Sequence, residues 1–277
     1  MERLDKTIAN FGNIPRSQAT RLIRIGQVRV NGAVCRDPSY KFLPDTAEVT
    51  VQGRPLDCRA HRYVMLNKPQ GILCVSRDPH AETVVDLLPP DLRRKGMFPA
   101  GRLDKDTVGL VLLTDDGDWA HRVLSPKKAV FKQYRAVVSG QVDERLVATF
   151  AEGTTLTDGT RCLPAVLRLL SPEAFVAAEN GAELAADKIP EFFRAFSAKY
   201  RIPEAGEITF VEIAIQEGRY HQIKRMFEAT DHKVLWLKRF SMGALFLDET
   251  LLEGQSRELT PDESAAVFEE VEGLCAK

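Results

Sequence analysis

Hydrophobic spacing divides the chain into three stretches. In the first, residues 1 to about 57, Leu4, Ile8 and Phe11 recur at helical intervals until a break at Gly12-Asn13. A second helix is predicted next, with Pro15 near its first turn, Ala19, Leu22 and Ile23 as its apolar face, and Gly26 at its end. Val28-Arg29-Val30 then alternates as a strand entering an Asn31-Gly32 hairpin turn, and residues 47–51 predict another strand. This helix–helix–β module is small for elaborate chemistry. Its Arg16, Arg21, Arg24 and Arg29 fall mostly off the Leu22/Ile23 face, which leaves them solvent-facing and available to phosphates.

A short polar linker bearing Asp57, Arg59 and His61 leads into the second stretch. Residues 63–66 predict a strand, 67–71 a turn and 72–75 a return strand. The apolar run 108–114 has strand length, Asp116-Gly117 marks a turn, and residues 119–124 predict a short helix. Residues 133–138 and 208–215 read as strands, and 221–229 as a helix with Ile223, Met226 and Phe227 inward. Strands of mixed order with interspersed helices predict an α+β domain. The third stretch, residues 171–207, is Ala-rich, mildly acidic and punctuated by prolines, and reads as an insertion of one or two helices. Near the end, Pro261 and Glu263 open a helix that takes in Ala266, Val267 and Val271.

Composition narrows the class. With 277 residues, 44% hydrophobic and 28% charged, the chain has an ordinary globular balance and a length suited to about two domains. No apolar run approaches the roughly 18 residues of a membrane span, and the N-terminus lacks a signal-peptide core. Five widely spaced cysteines with no CxxC pair fit free thiols in a reducing compartment, so a soluble cytoplasmic protein is expected. The net charge of −1 hides an uneven distribution. Residues 1–60 hold ten Lys/Arg against six Asp/Glu, and residues 121–135 hold five basic residues and no acid; the last thirty residues hold nine acids against two basic residues.

Candidate chemistry is densest in Gly101-Arg102-Leu103-Asp104-Lys105-Asp106-Thr107, which leads directly into the apolar run. A carboxylate held near cations, as Asp104 is near Arg102 and Lys105, stays ionised and can serve as nucleophile or base. Asp104 with Asp106 also reads as a metal-binding DxD, although Arg102 and Lys105 would crowd a divalent cation. A loop-capping aspartate is the plainer alternative. Spacing alone leaves these readings open.

Two resemblances bear on the choice. Arg3-Leu-Asp-Lys6, Arg16, Ala19, Leu22-Ile23, Gly26 and Val28-x-Val30-Asn31-Gly32 together resemble the S4 RNA-binding domain, with Pro15 standing where that family commonly has Ser. The resemblance implies structured RNA, often ribosomal. Residues 101–117, GRLDKDTVGLVLLTDDG, resemble the signature of the RsuA-like pseudouridine synthases, which carry an S4 domain ahead of the catalytic one. Other motifs of that family follow in order: Leu66-Asn-Lys-Pro-Gln-Gly71, Lys132-x-Tyr134, and residues 217–227, EGRYHQIKRMF. The match covers most of the chain except residues 171–207. The LNKPQG form and residues 115–122 resemble the members that modify small-subunit (16S) rRNA.

The resemblance implies an S4 domain at 1–57 and a catalytic domain at 62–277 built on a mixed, mainly antiparallel sheet. It makes Asp104 the catalytic aspartate and Arg102 the residue that places the flipped nucleotide or its phosphate. Tyr134 would stack on the target base, Ile223 would pack against it, and Lys224 would pair with the aspartate. His221, beside Tyr220 at a helix start, reads as structural rather than as a general base. Lys127 and Lys128, with Lys132, read as phosphate contacts. No metal, nucleotide or redox cofactor is implied; the expected partner is ribosomal RNA or its assembling particle, bound by a monomer. The rival readings are a large-subunit rRNA synthase of the same family, a non-catalytic RNA-binding assembly factor, and a DxD transferase.

Overall fold

The computed structural model describes residues 1–271 apart from Asn13, Asp45, Pro126, Lys127, Ala129, Glu204 and Ala205. Two compact units divide at Arg62 and Tyr63. Among the described residues no helix is long and apolar enough to cross a membrane.

The first unit opens with β1 (Glu2–Arg3), α1 (Leu4–Phe11) and α2 (Arg16–Arg24). Then come β2 (Val28–Val30), β3 (Ala33–Val34), β4 (Lys41–Phe42), β5 (Val49–Val51) and β6 (Arg54–Leu56). The strands form an antiparallel sheet in the order β3-β2-β5-β6, with β1 and β4 as a separate pair. Leu4, Ile8, Ala19, Ile23, Val28, Val30 and Val49 make its core, so both helical faces read from the spacing are the buried ones. Asn31 and Gly32 both take positive φ, 50° and 81°, the conformation a two-residue hairpin requires. Pro15 caps α2 without any side-chain hydrogen bond, the local consequence of having no Ser there.

One arginine departs from expectation. Arg16 is on the exposed side of α2, yet its guanidinium donates to the buried Asp5 carboxylate at 3.0 Å, and Arg3 donates to the same group at 3.1 Å. The two guanidiniums, Arg3 first, hold Asp5 down to about 2, so Arg16 is spent on tying α2 to α1. Arg21, Arg24 and Arg29 remain exposed; Arg29 donates to the Gly32 carbonyl at 2.9 Å.

The second unit is built on one mixed sheet. Its strands are β7 (Tyr63–Lys68), β8 (Phe98–Pro99), β9 (Val108–Thr114), β10 (Lys132–Ser139) and β11 (Val166–Leu170). They continue with β12 (Ile208–Ile215), β13 (Val234–Met242), β14 (Leu245–Phe246) and β15 (Ser256–Glu258). The sheet runs β11-β12-β10-β13-β9-β7-β15, with β14 on β13 and β8 on β9. Every pairing is antiparallel except β13 with β9. Around it lie α3 (Gly117–Leu124), α4 (Glu144–Glu152), α5 (Pro172–Asn180), α6 (Ile189–Tyr200), α7 (Gln222–Glu228) and α8 (Pro261–Ala266). The chain is α+β, as the element pattern predicts.

Three local expectations are corrected. Residues 72–75 form no strand; Leu73 makes only an isolated parallel bridge with Thr83, while Asn67 and Lys68 extend β7 instead of turning. The Gly71 N–H bonds to the Lys105 carbonyl, so the segment is recruited to a distant loop and not folded back on β7. Asp116 is a helix cap rather than a turn residue, its side chain accepting from the Trp119 N–H at 2.9 Å. Val267 and Val271 lie beyond α8, which stops at Ala266.

Several strands, β11 and β15 among them, have no counterpart in the sequence reading, and the longest of these is β13. Its run VLWLKRFSM is buried or half-buried throughout, so it has no clean alternation to read. It sits at the centre of the sheet between β10 and β9. Gly109 makes the parallel contact possible: a Cβ there would lie 2.3 Å from the Arg239 carbonyl oxygen.

The two faces of the sheet have different work. One carries Leu66, Val111, Tyr134, Ile213 and Leu237 under α4 and α7, through Phe150, Ile223, Met226 and Phe227. The other carries Met65, Leu110 and Leu112 under α3, through Trp119 and Val123. On that second face the insertion also packs, as two helices joined through a 3-10 turn at Ala186–Lys188, burying Phe175 and Phe196 against Phe210 and Trp236. Glu179 of α5 bridges Arg135 of β10 and Lys238 of β13, at 3.0 and 2.7 Å.

Candidate active site

The loop before β9 is pinned from beneath by a residue the motif contained but whose role was not anticipated. Lys68, at the end of β7, is fully buried, and its ammonium lies within hydrogen-bond distance of four main-chain carbonyls. They belong to Pro69 at 3.2 Å, Asp104 at 3.1 Å, Lys105 at 3.2 Å and Thr107 at 2.8 Å. Burial pushes Lys68 down to about 8, which leaves it charged at neutral pH. One cation thus fixes the backbone of the 104–107 turn, and with it the direction of the Asp104 side chain.

The first turn of α7 meets that carboxylate from the other side. Lys224 Nζ lies 3.1 Å from Asp104 Oδ2 and 2.5 Å from Asp106 Oδ1. His221 Nε2 lies 3.4 Å from Asp104 Oδ1, so each Asp104 oxygen has its own partner. Burial opposes the charge on Lys224, but the hydrogen bonds to Asp106 and Asp104 outweigh it and hold the ammonium above its ordinary value. Asp106 is the mirror case: burial pushes it up, and Lys224 brings it below the usual carboxylate range. The Lys224 ammonium sits between the two carboxylates where a DxD-bound divalent cation would have to be, which argues against that rival.

The entry into α7 is itself built. His221 takes a left-handed backbone conformation, φ 49°. The buried Gln222 accepts from the Arg219 N–H at 3.0 Å and donates to Glu217 at 2.8 Å, closing the turn that presents His221 and Lys224. Neither Gln222 nor the His221 contact was legible beforehand. Both lie inside the EGRYHQIKRMF motif, but which of its side chains turn inward depends on the turn.

Above Asp104 opens a cleft of about 430 Å³. Tyr134 of β10 and Ile223 of α7, both buried, form apolar walls with Leu103, Ile215 and Leu237, while Arg102 lines the rim. Arg102 is exposed and makes no ion pair among the described residues. A wider groove of about 1540 Å³ adjoins the cleft and shares Arg102, Asp104 and His221 with it. Asp104, Arg102, Tyr134, Ile223 and Lys224 are therefore brought together, though 122 positions separate the first of them from the last.

The basic run fares differently. Lys132 is buried with its ammonium on the Val130 and Gln216 carbonyls, at 3.0 and 3.3 Å, and burial pushes it down to about 8; it is a groove wall rather than a free cation. Lys128 is exposed and lines neither cavity, and Lys127 lies outside the described residues. Cys35, Cys58, Cys74 and Cys162 are free thiols; Cys275 lies outside the described residues.

Comparison with known proteins follows the same two units. Residues 62–229 match the family model described as RNA pseudouridylate synthase, and residues 2–46 match that of the S4 domain. A Bacillus subtilis protein called an uncharacterized RNA pseudouridine synthase, YtzG, is 38% identical over 261 residues, covering 94% of this chain and 96% of its own. The ribosomal small subunit pseudouridine synthase A of Escherichia coli K12 is 37% identical over 268 residues, covering 96% and 99%. A crystal structure of a pseudouridylate synthase superposes with a TM-score of 0.58 at 34% identity, over 96% of this chain and 100% of that one.

Proposed function

Since the chain belongs to the RNA pseudouridylate synthase family and is an RNA pseudouridine synthase with an S4 domain, we propose that it isomerises one uridine of small-subunit (16S) rRNA, with Asp104 as nucleophile. The observation that carries this reading is the Asp104 carboxylate at the floor of a cleft walled by Tyr134 and Ile223, with Lys224 and His221 on its two oxygens.

The reaction breaks the bond between ribose C1′ and uracil N1, turns the base, and joins C5 to C1′ with release of the C5 proton. A carboxylate suits it, either attacking C1′ or assisting glycal formation, and needs no cofactor to do so. The target must leave its stack to reach Asp104; in the cleft Tyr134 stacks on it, Ile223 closes its other side, and Arg102 at the rim takes its phosphate. Lys224 keeps the aspartate aligned and charge-balanced. The S4 unit offers Arg21, Arg24 and Arg29 to RNA phosphates and raises the local concentration of the target. Small-subunit rRNA as substrate is supported by the named relative, and a cytoplasmic setting by the free thiols.

Tritium release from C5-labelled uridine tests the reading directly. Wild type is expected to release tritium from a small-subunit rRNA transcript, whereas Asp104→Asn binds the transcript within threefold of wild type and releases none. Normal turnover by Asp104→Asn overturns the nucleophile assignment. Release from large-subunit rRNA alone retains the chemistry and moves the substrate, and binding without release from any RNA favours the assembly-factor reading.

A further inference from the structure

Tyr220 is 71% exposed, with its ring at the mouth of the groove beside Asp104. It is not loosely held. The Tyr220 ring lies nearly parallel to the His221 imidazole, centroids 3.8 Å apart and planes 17° apart, and His221 in turn reaches Asp104. The left-handed backbone at His221 sets the two rings in this stack. Among the described residues no hydrogen bond engages the Tyr220 hydroxyl, so the ring is not placed there to satisfy a polar group. An aromatic surface is therefore presented to water, backed on one side by an imidazole, at a fixed distance from the reacting carboxylate.

We propose that Tyr220 is a stacking platform for the nucleobase adjacent to the target uridine in the RNA strand, with His221 as its backing. The proposal rests on the functional reading above. The cleft over Asp104 is where the flipped nucleotide would enter, and the next nucleotide is covalently tied to it. The groove open to it adjoins the cleft, shares Arg102, Asp104 and His221 with it, and has Tyr220 on its wall. Arg102 and Lys105 on the same wall are exposed and suit the connecting phosphates. Stacking on one open ring face tolerates any base and favours the larger purines, so it holds the strand without fixing its sequence.

The experiment uses the full chain and a short single-stranded RNA carrying uridine next to 2-aminopurine, whose fluorescence is quenched by stacking. Isomerisation changes neither chain length nor the flanking base, so the active protein can be used. Wild type is expected to quench the probe and bind it; Tyr220→Ala loses the quench and weakens binding at least about fivefold. Tyr220→Phe and Tyr220→Trp restore both. On tritiated small-subunit rRNA, Tyr220→Ala raises KM by a similar factor with a smaller change in kcat.

Undiminished quenching and affinity in Tyr220→Ala overturn the proposal. So does a loss shared equally by Tyr220→Phe and Tyr220→Trp, because it would tie the effect to the hydroxyl or to His221 placement and not to the ring. If wild type releases no tritium from any RNA, the functional reading falls while the fluorescence assay still decides whether Tyr220 stacks on a base.

Discussion

Asp104 owes its geometry to two cations that act on different parts of it. Lys68 holds its main-chain carbonyl, and Lys224 holds its side chain. The second contact is the one that senses charge in the cleft, since Lys224 is shared with Asp106. Replacing Lys224 by Gln leaves a similar length and removes the ammonium from between two carboxylates. Tritium release under single-turnover conditions is expected to fall about 100-fold, with rRNA affinity within threefold of wild type. A kcat within threefold of wild type would show that Asp104 does not depend on this partner.

Beyond the β7–β9 ladder, Lys68 ties β7 to the loop before β9, and this juncture is where element packing controls the site. Lys68→Met removes the donor from four carbonyls that burial keeps from water. A stability loss of about 3 kcal/mol at pH 7 is expected in denaturant titration, with kcat reduced more than RNA affinity. The pH dependence has a definite sign. The folded-state value of about 8 lies below the ordinary 10.5, so between these the unfolded chain binds more protons and folding gains as pH rises. The cost of burying the charge applies in full below pH 8 and is relieved by about pH 10.5. The wild-type curve should therefore gain on that of Lys68→Met across this window, and parallel curves would place the titration elsewhere. The helical insertion acts on β10 and β13 from behind, Glu179 clasping Lys238 and also Arg135, which follows Tyr134 in sequence.

The whole chain combines a small basic unit with a larger catalytic one, and a net charge of −1 conceals that division. Of the four arginines proposed to meet RNA phosphates, Arg21, Arg24 and Arg29 remain exposed while Arg16 is committed to Asp5. Converting all three to Gln is expected to weaken rRNA binding at 150 mM salt. It should also reduce the slope of log K against log salt by about 2 to 3, with kcat at saturating RNA nearly unchanged. An unchanged slope would remove these residues from the RNA interface.

Patterns internal to one element were legible in the chain. Leu4, Ile8 and Phe11 marked α1, Asn31-Gly32 marked its hairpin, and residues 108–114 and 208–215 marked β9 and β12, because periodicity and turn chemistry are local properties. The motif resemblance also picked out Asp104, Tyr134 and Lys224 as one group. Spacing could not, since 30 and 90 residues separate them in turn. What depended on partners far along the chain was invisible: β13 as a strand buried on both faces, Lys68 as the anchor of another loop, Arg16 as the counterion of Asp5, and His221 as a contact of Asp104. An ammonium or imidazole has the same sequence signature on a solvated surface as in a carbonyl cage. Only the path of the chain, which brings β7 under the loop and α7 over it, chooses between the two.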